Sequence, residues 1–269
     1  MTDGPEISAA LVKELRDATG AGMMDCKRAL VETGGDLEAA RTLLRERGMA
    51  AAGKRADRAT TEGLVGVIVE PDKASIVGLG CETEPVSKND AFKAFGEKVL
   101  RAVHADGPAA AEGFDAERTE LITQLGENIV IVGAERFEDG TLAAYVHPPA
   151  NKIGVVVQLE GGTEELARQV AMHVSFAAPS YTARADVPAE VVEAERQIYL
   201  NSDELASKPE QAREKIVDGM LAKRFFAAAP GGVLLEQAWI HDAGATVGKA
   251  LEEAGASVTA FARVSVAGS

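Results

Sequence analysis

The spacing of apolar residues predicts three short helices within the first fifty residues of the chain. Ser8 is placed to cap the first helix, and the second is predicted over residues 23–32. Asp36 is placed to cap the third, which is predicted to end at Gly48 because glycine readily terminates a helix. Three helices of this length can enclose a small apolar core, so residues 1–55 are predicted to form a compact bundle.

From residue 63 onward, the apolar pattern changes to the spacing typical of β-strands. Two predicted strands, 64–69 and 75–79, precede a helix, and three strands between residues 129 and 159 precede a second helix that Thr163 is placed to cap. This repeated order of strands followed by a helix predicts a core of two related α+β subdomains. They are expected at residues 63–141 and at residues 142–180 together with 229–269.

Two further helices are predicted over residues 188–206 and 209–228, each with a proline in its first turn. They form a helical hairpin at residues 181–228. We interpret it as an insertion into the second subdomain, because strand-like residues return only at 234–240 and 258–266. Five apolar residues of the hairpin could either join its two helices or form a seam with a second copy of the chain: Val191, Ile198, Ile216, Met220 and Phe225.

The sequence therefore predicts an α+β fold. A three-helix bundle, similar to the ubiquitin-associated fold, precedes the core of two related subdomains and the inserted helical hairpin. Between bundle and core, residues 49–62 are rich in alanine and carry Lys54, Arg55 and Arg58 without an apolar stripe. We interpret this segment as a solvated linker, which could itself be helical, ending at about residue 62.

The charge of the chain bears on its partners. It has 28 basic and 42 acidic residues and a net charge of −14, which disfavours direct binding to nucleic acid or to an anionic membrane. The first 58 residues hold ten of each sign, so the acidic excess lies beyond them. The chain has two cysteines, and residues 1–6 are unlike the start of a secretory leader. Both features predict a cytoplasmic protein. No apolar run approaches the ~20 residues of a membrane span.

Motifs for covalent chemistry are missing from the sequence. It contains no phosphate-binding glycine loop, no nucleophile elbow and no metal-ligand spacing among its four histidines. We therefore expect no enzyme activity, no metal site and no cofactor. A nucleophilic pair of Cys81 and His173 is the alternative; it would make a hydrolase whose activity Cys81→Ser abolishes. The favoured interpretation of Cys81 is a small residue packed at the end of a strand.

Residues 15–30 combine the end of one helix, a tight corner and the start of the next. Gly20 can adopt the left-handed conformation that ends a helix. Met23 and Met24 follow closely: either both fill the small core, or at least one lies on the surface as an adaptable apolar contact. All sixteen residues closely resemble the N-terminal signature of translation elongation factor Ts, the nucleotide exchange factor of elongation factor Tu.

Residues 81–88 leave a predicted strand and enter a helix while presenting two carboxylates and a proline. They are either a polar connection, with Asn89 or Asp90 capping the helix, or a protruding finger. They resemble the second signature of the same family, usually Cys-Glu/Gln-Thr-Asp-Phe-Val, and depart from it at Glu84 and Pro85. In that family the aromatic ring is a wedge that enters the partner near its magnesium. Pro85 offers no flat ring and is expected to hold Glu84 extended, so the predicted wedge is smaller and stiffer.

Other strings similar to the family occur along nearly the whole chain, at residues 125–129, 145–147, 171–174 and 239–241. His173 lies in the third of these on a predicted helix beside apolar residues, so we interpret it as structural. The hairpin is similar to the dimerisation insertion of the family, which leaves a homodimer open.

The resemblance implies a guanine nucleotide exchange factor that binds elongation factor Tu with GDP and promotes GDP release by disturbing the magnesium and phosphate site. The residues it implies near the magnesium are Thr83, Glu84, Pro85 and Val86. The residues it implies as partner contacts are Arg16, Met23, Met24, Lys27, Leu125, Gly126, His147, Ile240 and His241. The alternative is a docking protein that leaves the GDP affinity of its partner unchanged, and Pro85 keeps that alternative open.

Overall fold

The computed structural model describes residues 7–206 and 208–266 of the chain. The expectation of no leader concerns residues 1–6, and the predicted break between the two hairpin helices, at residues 207–208, includes Ser207. Both lie outside the described residues, as do residues 267–269. The described chain mixes helices with small sheets, which confirms the predicted α+β fold and its N-terminal helical bundle.

The longer helices follow the predicted order along the chain, but the helix predicted over residues 188–206 is divided after Leu200, and the short helix at Glu84–Ser87 was not predicted. The α-helices are α1 (Ala9–Thr19), α2 (Met23–Glu32), α3 (Leu37–Arg55), α4 (Glu84–Ser87), α5 (Asp90–Asp106), α6 (Asp115–Leu125), α7 (Glu164–Ala177), α8 (Ala189–Leu200), α9 (Asp203–Ala206), α10 (Glu210–Met220) and α11 (Val247–Glu253). Three 3₁₀ turns lie at Pro108–Phe114, Arg184–Asp186 and Leu234–Glu236 within the described ranges.

The strands form small separate sheets. They are β1 (Glu62–Val69), β2 (Lys73–Cys81), β3 (Ile129–Glu138), β4 (Thr141–Val146), β5 (Ile153–Glu160), β6 (Ala238–Trp239), β7 (Asp242–Thr246) and β8 (Ser257–Ser265). The strand orders are β1-β2-β3, β4-β5-β8 and β6-β7. The strand predicted over 234–240 is wrong in its first half: a 3₁₀ turn at Leu234–Glu236 precedes the two-residue strand β6, which pairs with β7.

The chain separates into two compact units. The first comprises the described residues of Met1–Gly66, Val77–Ala134 and Ser265–Ser269, and the second comprises Val67–Ile76 and Glu135–Val264.

In the first unit, α1 to α3 enclose the small bundle core by the predicted capping chemistry. The Ser8 hydroxyl accepts a hydrogen bond from the Leu11 N–H, and the Asp36 carboxylate accepts one from the Ala39 N–H. Gly20 ends α1 at φ 67°, in the left-handed region. The buried core residues are Val12, Leu15, Ala21, Cys26, Ala29, Leu30, Ala40 and Leu44.

The third bundle helix does not end at Gly48, as the sequence predicts, but continues to Arg55. Gly48 is buried where α3 packs on α6, and a Cβ atom there would overlap the Thr123 hydroxyl. The glycine therefore permits close helix packing and does not terminate the helix. As a consequence, the predicted linker is helical as far as Arg55.

The second unit has its core between β5 and α7. Val155, Val157 and Leu159 of β5 are buried, and Val170 and Val174 of α7 pack in the same cluster. Thr163 caps α7 as predicted, with its hydroxyl accepting from the Leu166 N–H at 3.2 Å. This helix also supplies residues to the candidate site.

The helical hairpin of the second unit differs from its prediction in detail. Pro188 and Pro209 are N-cap residues and do not lie within the first turn, and α10 gives way at Leu221 to a π-helical turn that ends at Phe226. Val191, Ile216, Met220 and Phe225 pack within the hairpin's own apolar cluster, whereas Ile198 is exposed. Four of the five apolar residues thus join the hairpin internally.

Candidate functional site

The finger, defined here as residues 82–88, lies in the first unit between β2 and α5. Thr83 is extended at φ −131° and ψ 153°, and the single turn α4 follows, with Glu84 at its first position and Pro85 at its second. The prediction of an extended Glu84 is therefore wrong, because the extended residue is Thr83. Proline is tolerated in a first helical turn, since the N–H groups there have no partner within the helix.

The tip of the finger is exposed to solvent. Thr83, Glu84 and Pro85 are exposed, while Val86 is half-buried and Ser87 is buried. Glu84 forms an ion pair of 2.6 Å with Lys88, which raises the pKa of Lys88. The charge of Glu84 is thus balanced locally, and Pro85 stands as the apolar group of the tip.

The base of the finger is held by Glu127, from the loop after α6. One carboxylate oxygen accepts hydrogen bonds from the backbone N–H groups of Glu82 and Thr83, at 3.1 and 3.0 Å. The other oxygen accepts from the Thr83 hydroxyl. We call these bonds, together with the one that the Glu82 carboxylate accepts from the Asn128 N–H, the clasp. The clasp joins two segments that lie about 45 residues apart in sequence.

Glu82 completes the clasp from the opposite side, because its carboxylate accepts a hydrogen bond of 2.7 Å from the Asn128 N–H. The buried Asn128 side chain donates to the carbonyl groups of Ala56 and Arg58, at 3.3 and 2.9 Å. The Arg58 guanidinium lies 3.4 Å from the Glu82 carboxylate. The finger, the loop after α6 and the segment after α3 are therefore tied together.

Leu125 and Gly126, both predicted contact residues, immediately precede the clasp. Gly126 ends α6 in the left-handed conformation, at φ 78°, and donates its N–H to the Ile122 carbonyl group. Gly126 is exposed and Leu125 is half-buried. Leu125 is the last residue of α6, and Gly126 begins the loop that carries Glu127.

The predicted contact residues of the bundle are all exposed. Met23 is 50% and Met24 60% exposed, so the alternative in which both fill the core is wrong. The core positions of α2 are Cys26, Ala29 and Leu30. Arg16 and Lys27 are exposed as well. The bundle thus presents two unbranched apolar side chains together with two cationic ones.

In the second unit, His147 and Ile240 line one apolar hollow. Its other lining residues are Tyr145, Ile153, Met172, Ser175, Phe176 and Arg263. The Tyr145 hydroxyl lies 3.0 Å from His147 Nδ1, and Phe176 is strongly exposed at the rim. His241 lies nearby, with Nε2 at 3.3 Å from the Gln169 carbonyl oxygen and its ring edge-on to Trp239.

The second unit also contains a buried cluster of His173, Gln237 and Trp239, of which Trp239 directly precedes Ile240 in the sequence. His173 Nε2 lies 3.0 Å from Gln237 Oε1, and the His173 ring packs 5.4 Å from the Trp239 ring. Burial lowers the pKa of His173 below its ordinary value. His173 is only 1% exposed, so it is a structural residue, as the sequence predicts.

The Cys81–His173 alternative gains no support from the structure. Cys81 is buried at the end of β2, as predicted, and its thiol lies 3.3 Å from the Thr83 carbonyl oxygen. Neither the Cys81 nor the His173 side chain is accessible to a substrate. Within residues 7–206 and 208–266, no group of three or more histidine, cysteine or acidic side chains could hold a metal ion.

Sequence reasoning did not find the clasp. Glu127 and Asn128 stand in a string similar to the family, but no spacing rule connects them with residues 82–83. Gln237 was likewise missed, because a polar residue that directly follows Glu236 gives no signal of its burial. Among the helices of the described chain, none is long and apolar enough to cross a membrane.

The chain matches the family model described as "Elongation factor TS" over residues 82–268. It is 41% identical to the protein "Elongation factor Ts" of Hydrogenovibrio crunogenus, over 97% of this chain and 91% of the relative. It is 41% identical to "Elongation factor Ts" of Idiomarina loihiensis over the same shares. The identity is 42% to "Elongation factor Ts" of Clavibacter michiganensis, over 96% of this chain and 98% of the relative.

Proposed function

The chain belongs to the elongation factor Ts family, and on that premise we propose that it is a guanine nucleotide exchange factor of the cytoplasm. Its family gives it a role in translation elongation. The proposed partner is elongation factor Tu with bound GDP, from which the protein promotes GDP release without covalent chemistry and without a cofactor of its own.

The observation that carries the proposal is the clasped finger with an exposed tip. Glu127 holds the base of the finger, while Thr83, Glu84 and Pro85 face solvent. A small rigid projection of this kind suits entry into a site on a partner. Because the finger is already ordered, binding does not incur the entropic cost of ordering a loop, and affinity depends on how well the tip fits the partner.

The mechanism is thermodynamic coupling between two ligands of the partner. A factor that binds the nucleotide-free partner more tightly than the GDP form weakens GDP binding by the same ratio. Mg²⁺ in such sites bridges the nucleotide phosphates and the protein and requires near-octahedral geometry. In the proposal, Thr83, Glu84, Pro85 and Val86 disturb this geometry, so GDP loosens without competition for its pocket.

The remaining predicted residues provide affinity in the proposal. Met23 and Met24 make apolar contact with the nucleotide-binding domain of the partner, with Arg16 and Lys27 beside them. Their exposure supports this role. The other proposed contacts are Leu125, Gly126, His147, Ile240 and His241. No direct contact with nucleic acid or a membrane is proposed.

We also propose that the core consists of two related α+β subdomains. The hairpin at residues 181–228 is proposed to be a module through which two copies of the chain associate. Ile198 is the exposed apolar residue of the hairpin that supports this role. Sedimentation velocity tests it: a monomer throughout the micromolar range would contradict a homodimer.

The test of exchange is the release of a fluorescent GDP analogue from elongation factor Tu of the same organism. We expect catalytic amounts of this protein to accelerate release. Met24→Asp should weaken the complex by about tenfold or more, because a charge would be buried in an apolar contact. Met49→Asp is the matched control, since Met49 is 58% exposed but lies outside the proposed contacts.

Two results would contradict parts of this proposal. Binding without acceleration would identify a docking protein and reject exchange. Equal weakening by Met24→Asp and Met49→Asp would remove Met24 from the interface.

A further inference from the structure

We propose that Glu127 is a positioning residue for nucleotide exchange, acting by fixing the direction of the finger. The inference rests on the proposed function, because it concerns how the finger acts on the nucleotide site of the partner. Glu127 is not among the expected contact residues. Glu127 is half-buried, and its carboxylate accepts hydrogen bonds from Glu82 and Thr83.

Thr83 is the point at which the direction of the finger is decided. It is the extended residue between β2 and α4, so its two backbone dihedral angles determine where Glu84 and Pro85 project. Glu127 accepts hydrogen bonds from both the N–H and the hydroxyl of Thr83. One carboxylate therefore restrains the backbone and the side chain of the same residue.

The bonds to Glu127 replace an ordinary helix cap. A threonine at the N-cap commonly accepts a hydrogen bond from the second or third N–H of its helix. Here the second position of α4 is Pro85, which has no N–H, and Thr83 makes no such cap within the described chain. Its hydroxyl donates to the Glu127 carboxylate, and hydrogen bonds to a charged acceptor are stronger than neutral ones.

The restraint extends beyond the two loops. Asn128, the neighbour of Glu127, donates its backbone N–H to Glu82 and its side chain to Ala56 and Arg58. Ala56 directly follows α3, the last helix of the bundle. The finger is thus tied to the segment through which the bundle is connected, so a bundle held by the partner also orients the finger.

Loss of Glu127 has a distinct kinetic consequence. The proposed affinity contacts on α2 are unchanged, so the protein still binds its partner. A finger that can swing occupies the effective direction for a smaller fraction of the time, which lowers the rate within the complex. The maximal rate of release should therefore fall while the half-saturating concentration changes little.

The experiment compares Glu127→Ala, Glu127→Gln and Thr83→Val with the wild-type protein in GDP release at increasing concentrations. We expect Glu127→Ala to lower the maximal rate about tenfold, as for one charge-assisted hydrogen bond, with less than about threefold change in half-saturation. Glu127→Gln should recover part of the rate, because its amide oxygen can still accept. Glu120→Gln, at an exposed position of α6, is the matched control.

Amide hydrogen exchange of the unbound protein gives a readout independent of activity. The Glu82 and Thr83 amides should exchange slowly in the wild-type protein and faster in Glu127→Ala. Should Glu127→Ala fail to fold by circular dichroism, Glu127→Gln and Thr83→Val carry the test. Their combination should then be less harmful than the sum of the two single effects, since both remove one interaction.

The outcomes separate this inference from the proposed function. An unchanged maximal rate in Glu127→Ala, or a rise in half-saturation alone, overturns the positioning role while leaving exchange intact. A wild-type protein that does not accelerate release overturns the proposed function itself. Unchanged amide exchange at Thr83 overturns the clasp as the restraint of the finger.

Discussion

Glu127 in the first unit and Gln237 in the second each hold a distant segment by side-chain to backbone hydrogen bonds. Glu127 accepts from Glu82 and Thr83, whereas the Gln237 amide donates to the carbonyl groups of Ala177, Ala228 and Gly231. Glu127 is charged and partly open to water, but Gln237 is neutral and 0% exposed.

Because of this difference, we expect Glu127 to affect the position of the finger and Gln237 to affect the free energy of unfolding. Water can replace the hydrogen bonds of the clasp when Glu127 is removed, so little folding free energy depends on them. Water cannot reach the His173 ring or Ala177, each only 1% exposed, and each buried group left without a partner costs about 1–3 kcal/mol. The other two partners, Ala228 and Gly231, are half-buried. The finger can therefore be altered with small effects on folding, whereas the cluster around Gln237 cannot.

The largest expected effect comes from Gln237→Leu. The substitution leaves the buried His173 Nε2 without its partner and removes the donor to three carbonyl groups. We expect the free energy of unfolding in urea to fall by about 3 kcal/mol. Gln211→Leu, at an exposed position of α10, is the control and should change it by less than about 0.5 kcal/mol. Equal losses in both variants would show that the buried hydrogen bonds of Gln237 add no stability, and the contrast with Glu127 would then fail.

Pro85→Phe is expected to have an intermediate effect, on exchange and not on stability. The variant restores the aromatic residue usual in the family at an exposed tip, so the wedge becomes larger. We expect the maximal rate of GDP release to rise about tenfold, since a buried aromatic contact adds roughly 1.4 kcal/mol. Pro71→Phe, in the exposed turn between β1 and β2, makes the same change away from the finger. A rate equal to that of the wild-type protein would show that exchange does not depend on the ring.

The smallest expected effect is a pH dependence of stability from His173. Burial lowers the pKa of His173 below 6.5, so the folded state keeps the ring neutral. As the pH falls below about 6.5, the unfolded state binds a proton that the folded state does not. The free energy of unfolding should therefore be highest above that pH and decrease below it.

Urea denaturation of the wild-type protein and His173→Gln between about pH 7.5 and 5 isolates this contribution. The difference between the two proteins should narrow as the pH falls. A difference that stays constant over this range would mean that His173 titrates alike in the folded and unfolded states.

Local signals predicted the helical starts and ends correctly where one residue suffices. Ser8, Asp36 and Thr163 cap their helices as predicted, because a short polar side chain reaches N–H groups within its own turn. Gly126 ends α6 for a similarly local reason.

Gly48 and Glu84 show where local signals mislead. Gly48 looks like a helix end, but it is the place where α3 approaches Thr123 too closely for a side chain. Glu84 precedes a proline, yet the extended conformation lies one residue earlier, where Glu127 restrains Thr83. In both cases a residue more than 40 positions away decides the outcome.

From the residues alone, most helices and strands, the capping residues, the family resemblance and the residues of the finger could be predicted. The folded structure was needed to identify the carboxylate that holds the finger, the amide that is buried beside His173 and the exposure of the two methionines. Capping and amphipathic spacing depend on contacts within a few residues. The bonds of Glu127, Asn128 and Gln237, in contrast, form only after folding brings distant segments into hydrogen-bonding distance.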